Sequence, residues 1–185
     1  MKKIISLLFI FISLVFSNQA FSDDDLIQSL KEGGKIIFIR HAYAPGGGDP
    51  DNFDVNDCST QRNLNNEGIS QSKLIVEFFV KNKIQIDQVL SSEWCRCKDT
   101  AKNAFGEFKT FNALNSFFSS KFAKNRDQQM KDLKSFVKRW NGKENIIFVT
   151  HYVVIGEALN TNVSSGEIAI ADKSFNLIGT IETKY

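Results

Sequence analysis

The stretch Lys35-Ile-Ile-Phe-Ile-Arg-His41 decides the fold, because it joins a buried strand to two chemically active side chains. Its four central apolar residues, three of them isoleucine, are typical of a strand that is covered on both faces. Arg40 and His41 follow at the carboxyl end of this strand, where open α/β sheets place their ligand crevices. The stretch therefore predicts a buried strand that delivers an arginine and a histidine to a site.

The other of the chain's two histidines ends a stretch of the same kind, Asn145-Ile-Ile-Phe-Val-Thr-His151. Buried parallel strands end at the same edge of a sheet, so we expect His41 and His151 to meet there. A lone histidine at a strand end is more often structural. With Arg40 beside one histidine and a second histidine matched to it, we interpret both as catalytic.

The rest of the chain alternates between helical and strand patterns. Helices are predicted over residues 23–31, 67–83, 94–105, 128–140 and 153–159. Further strands are predicted over residues 87–92, 108–114 (with a turn) and 145–150, and a closing edge hairpin over 168–171 and 177–182. This order predicts the α/β class, as a three-layer αβα sandwich with a mostly parallel central sheet.

A long segment rich in Gly, Pro, Asp and Asn, residues 42–63, separates the first strand from the next helix. Its run Gly46-Gly-Gly48 lacks the Lys-Ser/Thr of a phosphate-binding P-loop, so a surface loop is favoured. Long loops inside small domains are often functional, and we expect this one to form a lid or rim of the site.

The first 22 residues have the layout of a secretory signal peptide: a basic start, an apolar run and a small-x-small cleavage site near Ser22. The apolar run, residues 4–16, is too short for a comfortable membrane span, although a retained membrane anchor is the alternative. We expect export to the periplasm or the exterior, which leaves residues 23–185 as one domain.

The formal net charge of +2 belongs to this leader, because Lys2 and Lys3 are its only charged residues. The remaining chain is neutral overall and carries no electrostatic footprint for nucleic acid or an anionic membrane. We therefore expect a small-molecule partner, and the oligomeric state stays open.

Export would place the three cysteines in an oxidising compartment. We expect one disulfide from Cys58 to Cys95 or Cys97, and favour Cys95 because Cys97 falls where a small buried residue would face the sheet. Three free thiols are the alternative. The cysteine spacing and two histidines match no common zinc pattern, so no metal is expected.

Four blocks of the sequence resemble those of the histidine phosphatase superfamily, which includes the cofactor-dependent phosphoglycerate mutases and many small phosphatases. In chain order they are Arg40-His41 (Arg-His-Gly in the family), Arg62-Asn-Leu64 with Gly68 (Arg-x-Leu-x-x-x-Gly), residues 91–101 around Arg96 (Ser-Ser-x-x-x-Arg-x-x-x-Thr-Ala), and Val149-Thr-His151. They occur in the family's order across residues 35–152.

The resemblance implies a phosphoglycerate mutase-like fold and hydrolysis of a phosphomonoester through a phosphohistidine on His41. It also implies that Arg40, Arg62, Arg96 and His151 surround the phosphate. Forked, permanently charged donors stabilise transition-state charge on the equatorial oxygens, so neither a metal nor another cofactor is expected. For His41 to attack, its other ring nitrogen should donate to a backbone carbonyl. Resemblance to small exported members of the superfamily makes an envelope phospho-sugar the expected substrate.

Three positions depart from the family's pattern. Ala42 replaces glycine, which is tolerable if the backbone there avoids positive φ. Tyr152 follows the second histidine in place of the aspartate of the large acid phosphatases. Asn115 stands near the position of the mutase glutamate and cannot protonate a leaving group.

The proton donor must then come from elsewhere or be dispensable. The candidates are Asp49, Asp57, Glu93, Glu157 and Glu167. Without an acid, good leaving groups are favoured: aryl phosphates, acyl phosphates or phosphohistidine. The alternative function is a phosphate-binding module that keeps the pocket with little or no turnover.

Overall fold

Six helices and six strands build the part of the chain that a computed structural model describes, residues 22–183. The helices are α1 Asp23–Glu32, α2 Asn66–Lys81, α3 Cys95–Phe105, α4 Ser120–Ala123, α5 Arg126–Arg139 and α6 Tyr152–Leu159. The strands are β1 Ile36–Arg40, β2 Ile86–Ser91, β3 Lys109–Thr110, β4 Asn145–Thr150, β5 Ile168–Ala171 and β6 Leu177–Ile181. The elements predicted from sequence are present with small shifts in their bounds. Helix α4 was not predicted, because four residues are too few to show a helical period.

The strands form one sheet in the order β3-β2-β4-β1-β5-β6. Strands β3, β2, β4 and β1 are parallel, whereas β5 and β6 close one edge as an antiparallel hairpin. The prediction of a mostly parallel sheet with a hairpin at its edge is confirmed. Across the central pair, Arg40 of β1 lies opposite Thr150 of β4.

Both faces of the sheet are covered by helices. Successive side chains of a strand point to opposite faces. Ile36 and Phe38 therefore pack into one apolar cluster with α5 and α6, whereas Ile37 and Ile39 pack into a second cluster with α1, α2 and α3. This double coverage explains why β1 is continuously apolar, and the three predicted layers are confirmed.

The loop over residues 42–63 is tied to the start of α3 by a disulfide. Cys58, in a short 3-10 turn at Cys58–Thr60, bonds to Cys95 with the two Cα atoms 5.7 Å apart. Cys97 is free and buried. The favoured pairing is therefore confirmed, for the reason expected: the side chain of Cys97 faces the sheet within the second apolar cluster.

The predicted signal peptide lies outside the described residues except for Ser22, which caps α1. Within residues 22–183, no helix has both the length and the apolar character required to cross a bilayer.

Candidate active site

The parallel pairing of β1 with β4 carries both histidines to one edge of the sheet. Arg40 lies opposite Thr150, and the next residue of each strand is a histidine. The rings of His41 and His151 have centroids 5.5 Å apart, and each side chain is only 2% exposed. The expected meeting of the two rings is therefore present.

The ring of His41 is held in one tautomer by its own backbone. Nδ1 lies 2.8 Å from the carbonyl oxygen of Ala42, which can only accept, so Nδ1 carries the proton. Nε2 keeps its lone pair and accepts a hydrogen bond from Nε of Arg96 at 3.3 Å. Burial, followed by the charge of Arg96 and of two further arginines, lowers the pKa of His41 well below its usual value. The ring is neutral at neutral pH, as a nitrogen nucleophile must be.

The ring of His151 is fixed through its Nε2 atom. This nitrogen lies 3.0 Å from Oγ of Ser92 and 3.4 Å from Sγ of Cys97. Oγ of Ser92 also donates to Oδ1 of Asn115 at 3.1 Å, and the amide of Asn115 donates to Glu93 at 2.5 Å. Burial, followed by nearby positive charge, lowers the pKa of His151 well below its usual value. Nδ1 is then the ring nitrogen available to a ligand.

Arg40 brings a buried and unpaired donor to the site. Its Nη1 donates to the carbonyl of Val163 at 2.8 Å, and its guanidinium lies 5.2 Å from the centre of the Tyr152 ring. Its Nε is buried and has no hydrogen-bond partner within the described residues. A buried donor without a partner costs about 1–3 kcal/mol, a cost that an anion bound beside it would remove.

Arg62 reaches the same cavity but also holds the loop in place. Its Nε donates to the carbonyl of Gly48 at 2.9 Å, and its Nη1 donates to the carbonyl of Ala44. Two of its three side-chain nitrogens therefore bind the loop backbone. Its expected role at the phosphate would fall to the remaining nitrogen.

Arg96 forms a two-point ion pair with Asp49 of the loop. Nη1 lies 2.6 Å from Oδ1 and Nη2 lies 3.1 Å from Oδ2. Burial alone would raise the pKa of Asp49, but the hydrogen bonds and charge of Arg96 outweigh it and hold that pKa below its usual value. Asp49 is therefore ionised at neutral pH and cannot serve as the proton donor that the sequence allowed.

These side chains line one cavity of about 660 Å³. Both histidines, the three arginines and the loop from Ala44 to Asp51 contribute to its wall. A second cavity of about 800 Å³ adjoins it and shares Phe53, Trp94 and Phe122 as a common wall. The first cavity can hold a tetrahedral anion in front of Nε2 of His41, with positive charge around it.

The remaining candidate proton donors are not brought to this cavity. They are Asp57, Glu93, Glu157 and Glu167. Asp57 is exposed and accepts from the backbone and hydroxyl of Ser59, while Glu167 accepts from the backbone N–H of Ser164 at 2.6 Å. Among the described carboxylates, only Asp49 and Asp51 line the cavity.

Sequence reasoning missed the residues that hold the segment after His41 and the helix that carries Arg96 in place. Oγ1 of Thr100 accepts from the backbone N–H of Ala42 at 2.9 Å and donates to the carbonyl of Arg96 at 2.7 Å. Ala42 avoids positive φ, the condition under which its side chain was expected to be tolerated. Thr100 and Ser92 both lie in the quoted Ser-Ser to Thr-Ala block, so that block contained the signal. No sequence signal indicated the pairing of Asp49 with Arg96.

No protein-family model matches the sequence, and no curated protein shows significant similarity to it. Solved structures do resemble it. The protein histidine phosphatase SixA, complexed with tungstate, has a TM-score of 0.59 and 16% identity over 80% of this chain and 97% of the other. Phosphoglycerate mutase from Thermus thermophilus has a TM-score of 0.57 and 12% identity, over 81% and 99% of the two chains.

A phosphoserine phosphatase mutant from Entamoeba histolytica, in complex with phosphoserine, has a TM-score of 0.55 and 17% identity. That likeness covers 74% of this chain and 89% of the other. At these identities the likeness establishes the fold, and it is the phosphoglycerate mutase-like fold that the sequence predicts.

Proposed function

We propose that this chain is a member of the histidine phosphatase superfamily that hydrolyses a phosphomonoester through a phosphohistidine on His41. The observation that carries the proposal is the His41 ring, whose Nδ1 is bound to the Ala42 carbonyl while Nε2 faces Arg96 with a lone pair. The fold shared with a protein histidine phosphatase and a phosphoserine phosphatase supports the same activity.

In the first step, Nε of Arg96 exchanges its hydrogen bond to Nε2 of His41 for one to a phosphoryl oxygen, and the freed lone pair of Nε2 attacks phosphorus. The P–N bond forms as the P–O bond to the leaving group breaks, and the leaving oxygen departs with the electron pair and takes a proton from solvent. Arg40, Arg62 and Arg96 surround the equatorial oxygens and stabilise their charge, and His151 joins them as a donor once the bound anion has drawn a proton to its Nδ1. Water then attacks the phosphohistidine and gives up a proton, the P–N bond breaks, phosphate is released, and Nε2 recovers its lone pair.

The carboxylates at the cavity bear on which leaving groups this reaction can accept. Asp49 is paired with Arg96, and Asp51 is the other described carboxylate at the cavity. The site therefore offers little help in protonating a poor leaving group. Aryl phosphates, acyl phosphates and phosphohistidine should react faster than sugar phosphates. An envelope phospho-sugar is the proposed natural substrate class, with slower turnover, and no metal or other cofactor is included in the proposal.

Export is part of the same proposal. Residues 1–22 would be removed as a signal peptide, leaving residues 23–185 as a single catalytic domain in the periplasm or outside the cell. The Cys58–Cys95 disulfide supports this location, because disulfides persist in oxidising compartments.

The test is hydrolysis of p-nitrophenyl phosphate, together with trapping of ³²P on the protein under alkaline quench, which preserves phosphohistidine. Wild type should hydrolyse the ester and carry the label, and H41A should do neither while still binding tungstate. Hydrolysis with equal labelling of H41A would contradict the proposal.

A phosphate-binding module is the second candidate, and one observation favours it: four of the five candidate acids lie away from the cavity. Tight vanadate binding by wild type, without hydrolysis of aryl phosphate, acyl phosphate or phosphohistidine, would establish that function instead.

A further inference from the structure

The carboxylate of Asp49 gathers donors from three residues at the rim of the cavity. Besides the two bonds from Arg96, Oδ2 accepts from Nε1 of Trp94 at 3.1 Å and Oδ1 accepts from the backbone N–H of Arg62 at 3.3 Å. Its side chain is 18% exposed, against 4% for Arg96. Both carboxylate oxygens are thus satisfied by the protein itself.

A guanidinium group offers two edges for a two-point contact, the Nη1–Nη2 edge and the Nε–Nη2 edge. In Arg96 the first edge is occupied by Asp49. The second edge is turned towards His41, since Nε donates to Nε2 of that ring at 3.3 Å. A phosphoryl group bonded to Nε2 would replace the ring as the acceptor of Nε and would meet the Nε–Nη2 edge, which Asp49 does not occupy.

The loop around Asp49 is anchored at several points, so the carboxylate is itself held in place. Nε of Arg62 donates to the carbonyl of Gly48, the residue before Asp49. The carbonyl of Arg62 also lies 3.4 Å from Nη1 of Arg96. Further along the loop, Cys58 is bonded to Cys95, the residue before Arg96.

We propose that Asp49 is a positioning residue that fixes the Nε–Nη2 edge of Arg96 towards the phosphoryl group on His41. This inference rests on the proposed function, because it assigns Arg96 to the transferring group. The opposite role is a competing anion: a carboxylate that occupies Arg96 and must leave before phosphate binds. The two roles predict effects of opposite sign when the charge is removed.

The test compares wild type, D49N and the matched control D54N. Asp54 carries the same charge in the same loop but does not line the cavity that contains His41, and among residues 22–183 its Oδ1 accepts only a local backbone N–H from Asn56. The measurements are kcat and KM for p-nitrophenyl phosphate, and the affinities for vanadate and inorganic phosphate. Thermal unfolding of each variant shows that it is folded.

Positioning acts on the transition state, so D49N should lower kcat by about 10- to 100-fold. Vanadate mimics the five-coordinate transition state, so D49N should weaken vanadate binding by a factor similar to the loss of kcat. The affinity for inorganic phosphate and KM should change far less. D54N should match wild type. Tighter vanadate binding by D49N, or unchanged kcat, would overturn the inference.

The proposed function can fail separately. If wild type binds vanadate without hydrolysing any ester, the phosphatase proposal fails, while the comparison of vanadate affinity between wild type and D49N still decides the role of Asp49. If wild type hydrolyses the ester and D49N does so equally well, only the role of Asp49 fails.

Discussion

Nε of Arg96 lies 3.3 Å from Nε2 of His41, so the proposed nucleophile and a cation proposed to bind phosphate are in direct contact. The positive charge disfavours protonation of the ring and thereby preserves the lone pair. When a phosphoryl group binds to Nε2, the same cation lies beside its developing charge. In the proposed reaction, Arg96 would therefore both favour the unprotonated form of His41 and stabilise the product of its attack.

Replacing Arg96 with lysine should lower kcat for p-nitrophenyl phosphate by about 100-fold or more. A lysine ammonium is a compact charge that cannot pair with Asp49 through one edge and face His41 with another. Steady-state kinetics measures the loss. R126K is the matched control, because the Arg126 side chain is 51% exposed and pairs with Asp127 at the surface. Activity of R96K within a few-fold of wild type would contradict this role.

The two buried histidines should make the folded protein less stable in mild acid. Their pKa values in the folded state lie well below 6.5, whereas the unfolded chain titrates near 6.5. Below pH 6.5 the unfolded chain therefore binds protons that the folded chain does not, and the free energy of unfolding falls as pH falls. The slope is at most about 1.4 kcal/mol per pH unit for each histidine.

Urea unfolding between pH 5 and pH 7 measures that slope. The double variant H41Q/H151Q removes both titrating rings and should flatten the dependence in this window. Asp49 does not produce the same effect there, because its pKa lies below its usual value and it stays ionised. Equal slopes in wild type and the double variant would show that the histidines are not buried as neutral rings.

A feature of this fold was predictable from sequence where a periodic pattern of residues determines it. The apolar runs ending in His41 and His151 predicted two buried strands that end at one edge of the sheet, and the direct parallel pairing of β1 with β4 brings the rings together. The pairing of Asp49 with Arg96 depends on the path of a loop without any period, so residue type could not reveal it. Glu93 lies inside a quoted block, yet its carboxylate is bound by Asn115, outside the catalytic cavity.

Reduction of the Cys58–Cys95 disulfide should lower activity before it lowers helical content. The bond joins the loop that carries Asp49 to the start of α3, next to Arg96, whereas neither of the two apolar clusters that cover the sheet includes Cys58 or Cys95. Loss of the crosslink across its 37-residue separation should also cost about 4 kcal/mol in the chain-entropy account. Activity, far-UV circular dichroism and urea unfolding are compared with and without dithiothreitol.

The double variant C58S/C95S is the control for the reductant, and dithiothreitol should not change it further. In native protein Cys97 should resist alkylation at pH 8, because burial raises the pKa of its thiol to about 12. Mass spectrometry of protein unfolded without reductant should then find one alkylated thiol. Three alkylated thiols, with activity indifferent to dithiothreitol, would exclude a structural disulfide.

Gly68 of α2 packs against the backbone of the segment that follows His41, and replacing it with alanine should destabilise the protein. A Cβ on Gly68 of α2 would overlap the carbonyl oxygen of Tyr43, two residues after His41. Alanine gains about 1 kcal/mol of helix propensity, but forcing these backbones apart should cost more, about 1–3 kcal/mol or above. G156A is the matched control: it is also a helical glycine, and its nearest contact is an ordinary 3.5 Å, so it should stabilise the fold. Urea unfolding should therefore show opposite signs for the two variants. A G68A variant as stable as wild type, or more stable, would mean that α2 does not press against the segment that follows His41.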